Sequence, residues 1–252
     1  MSKFCSIKKR IGFDYKNRGR FLTDKIKLAG YDEKHVIEYY LELLKLIDVP
    51  AVGTEMELFV SSDAKSNAKQ RLKGLGIAEA DLKVGIVPGG GGSWGKDAQL
   101  KHWPADHFGL LADKLVDQKI KIVVLADHGE LQVSRSMVKA MQNKPVDLSN
   151  KTSLEQLAAI VANLDLLICN DGGPLHMAKA LKIKTVSIFG PVSEVVYGPY
   201  PLSKNDRVVK CDIPCRPCYC NFRMKECNMD RKCITNISVE QVFSEVQILI
   251  VK

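Results

Sequence analysis

Short apolar runs bounded by turn residues alternate along this chain with stretches in which apolar residues recur every three or four positions. Val84 to Val87, Ile120 to Ala126, Leu166 to Cys169 and Thr185 to Phe189 are runs of the first kind and predict buried strands. Leu58 to Val60 predicts a further short strand, followed by Ser62 or Asp63 as the cap of a polar helix from Ala64 to Lys73 that ends at Gly74. Phe108, Leu111, Ala112 and Leu115 share one face of a helix predicted over residues 104–117. Thr152-x-x-Glu155 reads as a capping box in front of a helix that buries Leu154, Leu157, Ala158 and Val161. Leu175, Ala178 and Leu181 share a face after Pro174, whose fixed φ and missing N–H suit a first helical turn. A last helix, capped by Ser238 with Gln241, buries Val242, Phe243, Val246 and Leu249. Strands that alternate with helices predict βαβ units and a doubly wound parallel sheet of the α/β class.

The first 57 residues depart from that rhythm. Residues 1–30 carry Lys3, Lys8, Lys9, Arg10, Lys16, Arg18, Arg20, Lys25 and Lys27 against Asp14 and Asp24, a density that predicts a solvated basic arm. Val36, Tyr40, Leu43, Leu44 and Ile47 then fall at helical spacing up to Pro50, an amphipathic helix with no chemistry assigned to it. The whole chain has 252 residues, 46% of them hydrophobic, and so can bury a sizeable core. Its net charge of +8 favours anionic partners: nucleotides, phosphorylated glycolipid, a membrane surface or nucleic acid. No basic strand interleaved with aromatics is present, so no nucleic-acid partner is expected. No apolar run approaches the roughly 18 residues of a membrane span, and the opening MSKFCSIKKR has no leader-like apolar segment. The expected location is the cytoplasm, with peripheral contact at the inner membrane left open.

Candidate chemistry sits where strands end. Leu166 to Cys169 runs into Asn170-Asp171-Gly172-Gly173 and then a helix start, where free amides can seat a phosphate or diphosphate. Thr185 to Phe189 ends at Gly190-Pro191, and Val84 to Val87 ends at Pro88-Gly89-Gly90-Gly91-Gly92-Ser93. That glycine run is neither G-x-G-x-x-G nor a Walker loop. Asp127-His128-Gly129-Glu130 follows the strand at 120–126. Glu130 can grip a ribose diol or serve as a helix-start carboxylate, and Asp171 can bind sugar hydroxyls or cap the next helix. His176 can pack as an ordinary imidazole or donate to a ligand. Trp103 is expected to pack at a helix start, and His102 to lie at the surface.

Asp171-Gly172-Gly173-Pro174-Leu175-His176-Met177-Ala178, Phe189-Gly190-Pro191, Tyr197-Gly198-Pro199 and Lys101-His102-Trp103-Pro104 together resemble the ADP-heptose:lipopolysaccharide heptosyltransferases, glycosyltransferase family 9. The resemblance covers about residues 10–250, starting at Arg10-Ile11-Gly12-Phe13-Asp14. It departs at Gly172, where the family usually has a hydroxyl residue. The resemblance implies a Rossmann-like domain, the C-terminal half of a GT-B glycosyltransferase. Residues 1–57 would be a remnant of the acceptor domain and linker, and 58–252 the nucleotide-sugar-binding domain. The donor-binding set it implies is Ser93, Lys101, Glu130, Asp171, Gly172, Gly173 and His176, with Lys101 at the nucleotide diphosphate. It implies a nucleotide-sugar donor, ADP-heptose by the family match, a lipopolysaccharide core acceptor and no cofactor. The family's general base belongs to a first domain that this chain is expected to lack, so the chain alone is expected to bind donor and to transfer poorly. The other readings are a non-catalytic nucleotide-sugar-binding module or half of a split enzyme, and, less favoured, a basic nucleic-acid-binding protein.

Six of the eight cysteines fall between Cys211 and Cys233, a second constellation. Cys215-Arg216-Pro217-Cys218 is a C-x-x-C without a clean second one, and Cys215, Cys218, Cys227 and Cys233 are candidate ligands of a zinc or iron–sulfur site. Reduced thiols packing a loop are the alternative, and the expected cytoplasmic location disfavours disulfides.

Overall fold

The computed structural model describes residues 7–90 and 92–250, except for the side chains of Ser93 and Lys96. The amino-terminal region is more ordered than its charge density predicts. β1 (Ile11–Asp14) and β2 (Asp24–Lys27) pair in parallel. Asp14 holds the connection between them, because its carboxylate accepts the Gly19 N–H at 3.0 Å and pairs with Lys25 at 2.6 Å. These contacts hold the Asp14 carboxyl below its ordinary value, the Lys25 bond most of all. Lys3 of the expected arm lies outside the described residues. Helix α1 (Val36–Glu42) follows, and the face it buries carries Tyr39 rather than Tyr40, which is 56% exposed. The chain tightens into a 3-10 turn over Leu43–Ile47, which rotates the later apolar residues off the expected stripe.

Leu58 to Val60 is not a strand. Phe59 is 90% exposed there, and with no neighbouring strand to pair with, the segment is only extended chain leading into α2 (Ser62–Gly74). Ser61 caps that helix, one residue earlier than expected, by accepting the Ala64 N–H at 3.1 Å.

From there the chain alternates as predicted, with strands at 146–147 and 206–210 added to the expected four. The strands β3 (Lys83–Val87), β4 (Lys121–Val124), β5 (Val146–Asp147), β6 (Leu166–Asn170), β7 (Lys184–Phe189) and β8 (Asp206–Lys210) form one parallel sheet in the order β5-β4-β3-β6-β7-β8. Side chains alternate across it. Val84, Ile86, Ile122, Val124, Leu166 and Ile168 pack on one face against α3 (Ala105–Asp117) and α9 (Val239–Ile250). Val87, Val123, Leu125, Leu167 and Cys169 pack on the other against α2, α5 (Leu154–Val161) and α6 (Gly173–Ala180). Both faces are covered, which is why these strands read as unbroken apolar runs. Helix α4 (Leu131–Ala140) packs on α3 through Gly109, where a Cβ would stand 2.9 Å from the Ala140 Cβ.

The cap of α5 is Ser153 with Gln156, not Thr152 with Glu155. That one-residue shift turns Leu154 outward, 74% exposed. Short helices α7 (Glu194–Tyr197) and α8 (Lys232–Thr235) flank a small antiparallel hairpin of β9 (Tyr219–Cys220) and β10 (Arg223–Met224). Asn221 and Phe222 turn that hairpin with positive φ at both residues, as a type I′ turn requires. No helix of the described residues is long and apolar enough to cross a membrane.

Candidate donor site at the switch point of the sheet

The strand order reverses between β3 and β6, so the carboxyl ends of these two strands diverge into a crevice. In a doubly wound sheet such a crevice is where ligands bind. Here it opens into a cavity of about 890 Å³. That volume lies within the range of small-molecule and cofactor sites, roughly 300–1,000 Å³. A smaller cleft of about 310 Å³ between α2 and α5 lies away from the strand ends and carries no comparable cluster of charge.

Asn170, the last residue of β6, ties the crevice together. It is 1% exposed, its Nδ2 donates to the carbonyls of Pro88 and Gly89 at 2.8 Å each, and its Oδ1 accepts the Trp103 N–H at 3.0 Å. One amide thereby fixes the loop after β3 and the start of α3 to the end of β6. The signal in the sequence was a lone polar residue closing an apolar strand.

Six of the seven candidate donor residues border the cavity: Lys101, Glu130, Asp171, Gly172, Gly173 and His176. The side chain of Ser93 lies outside the described residues. Lys101 and Asp171 are joined directly. Their Nζ and Oδ2 atoms are 2.6 Å apart, with side chains only 3% and 8% exposed, and Lys101 Nζ also lies 4.3 Å over the Trp94 ring. Asp171 does not cap the next helix, because Gly172 occupies that position with no side-chain bond. Gly172 has an extended backbone, φ 169°, so nothing in its conformation demands glycine. Helix α6 begins at Gly173, which is exposed, borders the cavity and has open space where a Cβ would be; Pro174 brings no N–H, and the Leu175 N–H is bonded to the Gly172 carbonyl at 3.1 Å.

Glu130 reaches across to the glycine loop. Its Oε1 accepts the Gly90 N–H at 2.5 Å, and its backbone N–H is capped by Asp127 Oδ1 at 3.0 Å. Gly89 is required for this approach, since a Cβ there would lie 2.3 Å from Glu130 Cδ. Burial raises the Glu130 carboxyl above its ordinary value, and the Asp127 charge adds to the rise. Burial lowers His176 in turn, so its imidazole favours the neutral form. His102 is not a surface residue. It is half-buried, its Nε2 lies 2.8 Å from the Gly90 carbonyl, and burial lowers its pKa also. Trp103 packs as expected, fully buried with its Nε1 donating to the Ile237 carbonyl at 2.9 Å.

The opposite wall of the cavity is aromatic, a feature that no periodicity or motif in the chain marks. Trp94 and Tyr219 meet at 4.2 Å between ring centroids, Tyr31 and Phe222 at 4.9 Å, and Tyr197 and Tyr219 at 6.0 Å. Burial pushes the Tyr31 and Tyr197 hydroxyls upward, so both stay protonated. Tyr40 also lines the cavity, so the helix with no assigned chemistry contributes to the site. His35 fixes that helix to the Tyr197-Gly198-Pro199 turn. Its Nδ1 accepts the Ile37 N–H, so Nε2 carries the proton and donates to the Gly198 carbonyl at 3.1 Å. Its ring stacks on Tyr200 at 4.3 Å.

A polar floor with a helix amino terminus and a buried lysine, faced by an aromatic wall, lies at the switch point of a doubly wound sheet, the place where α/β domains of this kind bind ligands. The profile of glycosyltransferase family 9 (heptosyltransferase) matches residues 1–229, and the chain belongs to that family. It is 27% identical to the lipooligosaccharide heptosyltransferase 2 of Campylobacter jejuni, over 92% of this chain and 69% of that protein. It is also 27% identical to the lipopolysaccharide heptosyltransferase 2 of Escherichia coli, over 82% of this chain and 60% of that protein. The fold matches the solved structure of E. coli ADP-heptose lps heptosyltransferase II with a TM-score of 0.76 at 22% identity, covering 98% of this chain and 71% of that one. A glycosyl transferase family 9 protein from Veillonella parvula matches with a TM-score of 0.69 at 24% identity, covering 80% of this chain and 56% of that one. These likenesses agree with a Rossmann-like domain of GT-B architecture.

Proposed function

We propose that this chain binds an ADP-sugar in the cavity at the switch point and serves as the donor side of a transferase that moves a heptose onto a lipopolysaccharide core acceptor. The observation that carries this reading is the meeting of Lys101, Asp171 and the amino terminus of α6 in one crevice. The relatives' names supply the sugar and the acceptor. Transfer breaks the bond between the anomeric carbon and the diphosphate, and negative charge grows on the departing ADP. Amides at the start of α6 and the Lys101 ammonium are preorganised for that charge. Asp171 orients Lys101 and can accept bonds from donor hydroxyls. Glu130, in the 3-10 turn His128–Glu130 that follows β4, is the residue suited to the ribose diol. His176 stays neutral and available as a hydrogen-bond donor, and no base for the acceptor hydroxyl is assigned among the described residues.

Residues 1–57 on this reading belong to the acceptor side and residues 58–252 form the donor domain. The acceptor would be met on the cytoplasmic face of the inner membrane, where the net charge of +8 favours anionic lipid.

Ligand-induced melting shifts across ADP, ADP-heptose, UDP-sugars and GDP-sugars test the donor, because a bound ligand raises apparent stability by mass action. ADP and ADP-heptose should raise the melting temperature and the others should not. Lys101→Met should weaken ADP binding by about tenfold to a hundredfold, the worth of a charge-assisted hydrogen bond. Equal responses to all three nucleotides, or wild-type ADP affinity in Lys101→Met, would sink the assignment.

A further inference from the structure

The cavity extends to both sides of the Lys101–Asp171 pair. Toward β4 and β5 it is bordered by Asp127, Glu130, Asn150 and Leu154, and toward β7 and β8 by Tyr197 and Tyr219. A nucleotide sugar also has two ends, joined by its diphosphate. With the diphosphate at Lys101 and the ribose at Glu130, the sugar extends toward β7 and β8, and what it meets there is aromatic.

The aromatic contacts start at the diphosphate end and run outward. Lys101 Nζ lies 4.3 Å over the Trp94 ring, Trp94 meets Tyr219 at 4.2 Å between centroids, and Tyr219 meets Tyr197 at 6.0 Å. All three rings are partly exposed, so a ligand can reach them. The wall also favours tyrosine over phenylalanine. Four of the seven tyrosines border the cavity, whereas Phe222 is the one phenylalanine among the described residues that does. A wall that only excluded water would gain nothing from hydroxyls. A sugar ring does gain from them, because it offers an apolar C–H face to an aromatic ring and a rim of hydroxyls to a phenol that both donates and accepts. Burial raises the hydroxyls of Tyr197 and Tyr219 above their ordinary value, so both keep the proton they would donate.

This wall is built in advance of any ligand. Tyr219 lies on the β9–β10 hairpin, and an isolated two-stranded hairpin is marginal in water. Here it is held from two sides. On one side the Cys218 and Tyr219 N–H groups donate to the Pro191 carbonyl at 2.8 and 3.2 Å. Arg216 secures the same turn by donating to the Gly190 and Val192 carbonyls at 2.6 and 3.2 Å and pairing with Glu194 at 2.9 Å, which fixes the start of α7 and so Tyr197. On the other side Phe222 packs on Tyr15 at 4.6 Å, and Asn221 lies so close to Gly30 that a Cβ there would stand 2.7 Å from the Asn221 Cα. The candidate metal ligands Cys215, Cys218, Cys227 and Cys233 border one cleft, but no three potential ligands among the described residues are arranged to hold an ion. Packing and hydrogen bonds position the hairpin.

We propose, on the strength of the ADP-sugar reading of this cavity, that Trp94, Tyr197 and Tyr219 seat the sugar of the donor and determine which sugar is accepted. Tyr219 is the central contact, since it touches both of the other rings. The chemical class recognised is a pyranose with one C–H face free to lie on the rings. Glu130 and Tyr219 then read opposite ends of one ligand, and substitutions at the two should have different signatures.

Calorimetric titration of the full chain with ADP and with ADP-heptose separates them. Tyr219→Ala should raise the Kd for ADP-heptose about tenfold and leave that for ADP within about twofold, since the lost contact is one aromatic face on the sugar. Tyr219→Phe, which keeps the ring, should recover most of that loss. Glu130→Ala should weaken both ligands by the same factor. A second measurement needs no substitution and decides the matter even where Tyr219→Ala unfolds. Trp94 borders the cavity, while Trp103, the other of the two tryptophans, is fully buried. Saturating ADP-heptose should shield wild-type emission from acrylamide quenching more than saturating ADP does. Equal losses of ADP and ADP-heptose in Tyr219→Ala, no loss of either, or equal shielding by the two ligands would overturn the sugar assignment while leaving the nucleotide site in place. A wild-type protein that binds neither ligand would overturn the donor reading itself, and the sugar assignment with it.

Discussion

Removing one partner of the Lys101–Asp171 pair should destabilise the protein far more than removing both. The two side chains are 2.6 Å apart and nearly sealed from solvent. Opposite charges about 4 Å apart attract by about 4 kcal/mol at an effective dielectric constant near 20. Both also lose hydration on burial, so the pair as a whole contributes little net stability, while a lone survivor is a buried uncompensated charge. Lys101→Met should therefore cost about 3–5 kcal/mol, and Asp171→Leu a similar amount. In Asp171→Leu the Trp94 ring, 4.3 Å from the ammonium, remains as its partner, as it is in the wild type. The double variant should lie within about 2 kcal/mol of wild type, because no charge is left stranded. Urea unfolding of the four proteins, with slopes compared for two-state behaviour, gives the coupling energy directly. Single variants that each cost less than about 1 kcal/mol, or a double variant equal to the sum of the singles, would refute a buried coupled pair. The same cycle guards the donor assignment, since weak ADP binding by Lys101→Met counts only where the protein remains folded.

Asn170→Ala should cost about 2–5 kcal/mol, because it strands the carbonyls of Pro88 and Gly89 and the Trp103 N–H in a buried place. A thermal or urea midpoint equal to wild type would show that the amide is not the clamp described above. Stability should also depend on pH through the histidines. His35, His102 and His176 are all lowered, by burial first, so the unfolded chain binds protons that the folded one refuses. Their contribution is complete above the ordinary imidazole value near 6.5 and is lost as pH falls through that value. Glu130 has the opposite sign, because its raised carboxyl costs stability as pH rises from the ordinary value of 4.5. The melting temperature should fall on acidification from pH 7 through 6.5, and His35→Gln should flatten the slope. A melting temperature that stays level or rises over that interval would contradict the histidine account.

The sequence by itself determined the alternation. Val84 to Val87, Leu166 to Cys169 and Thr185 to Phe189 are strands because they are apolar on both sides, and both faces of the sheet are covered. The helix after Pro174 and the four buried positions of α3 follow from periodicity and capping, which act within a few residues. Local signals failed where a neighbour distant in sequence decides. Leu58 to Val60 has the composition of a strand but no partner, and the cap of α5 slid from Thr152 to Ser153, turning Leu154 out. The candidate donor residues could be proposed individually from the turns and the family resemblance, but their arrangement could not. Lys101 meets Asp171 only because β3 and β6 lie side by side, and that adjacency is a property of strand order. Glu130 grips Gly90 because β4 flanks β3 on the other side. Tyr31 reaches Phe222 across nearly the whole chain, and the four cysteines close on one cleft, through contacts that no periodicity encodes. Pattern specifies which face of an element is apolar, whereas the sites depend on which elements become neighbours, and only packing of the complete sheet decides that.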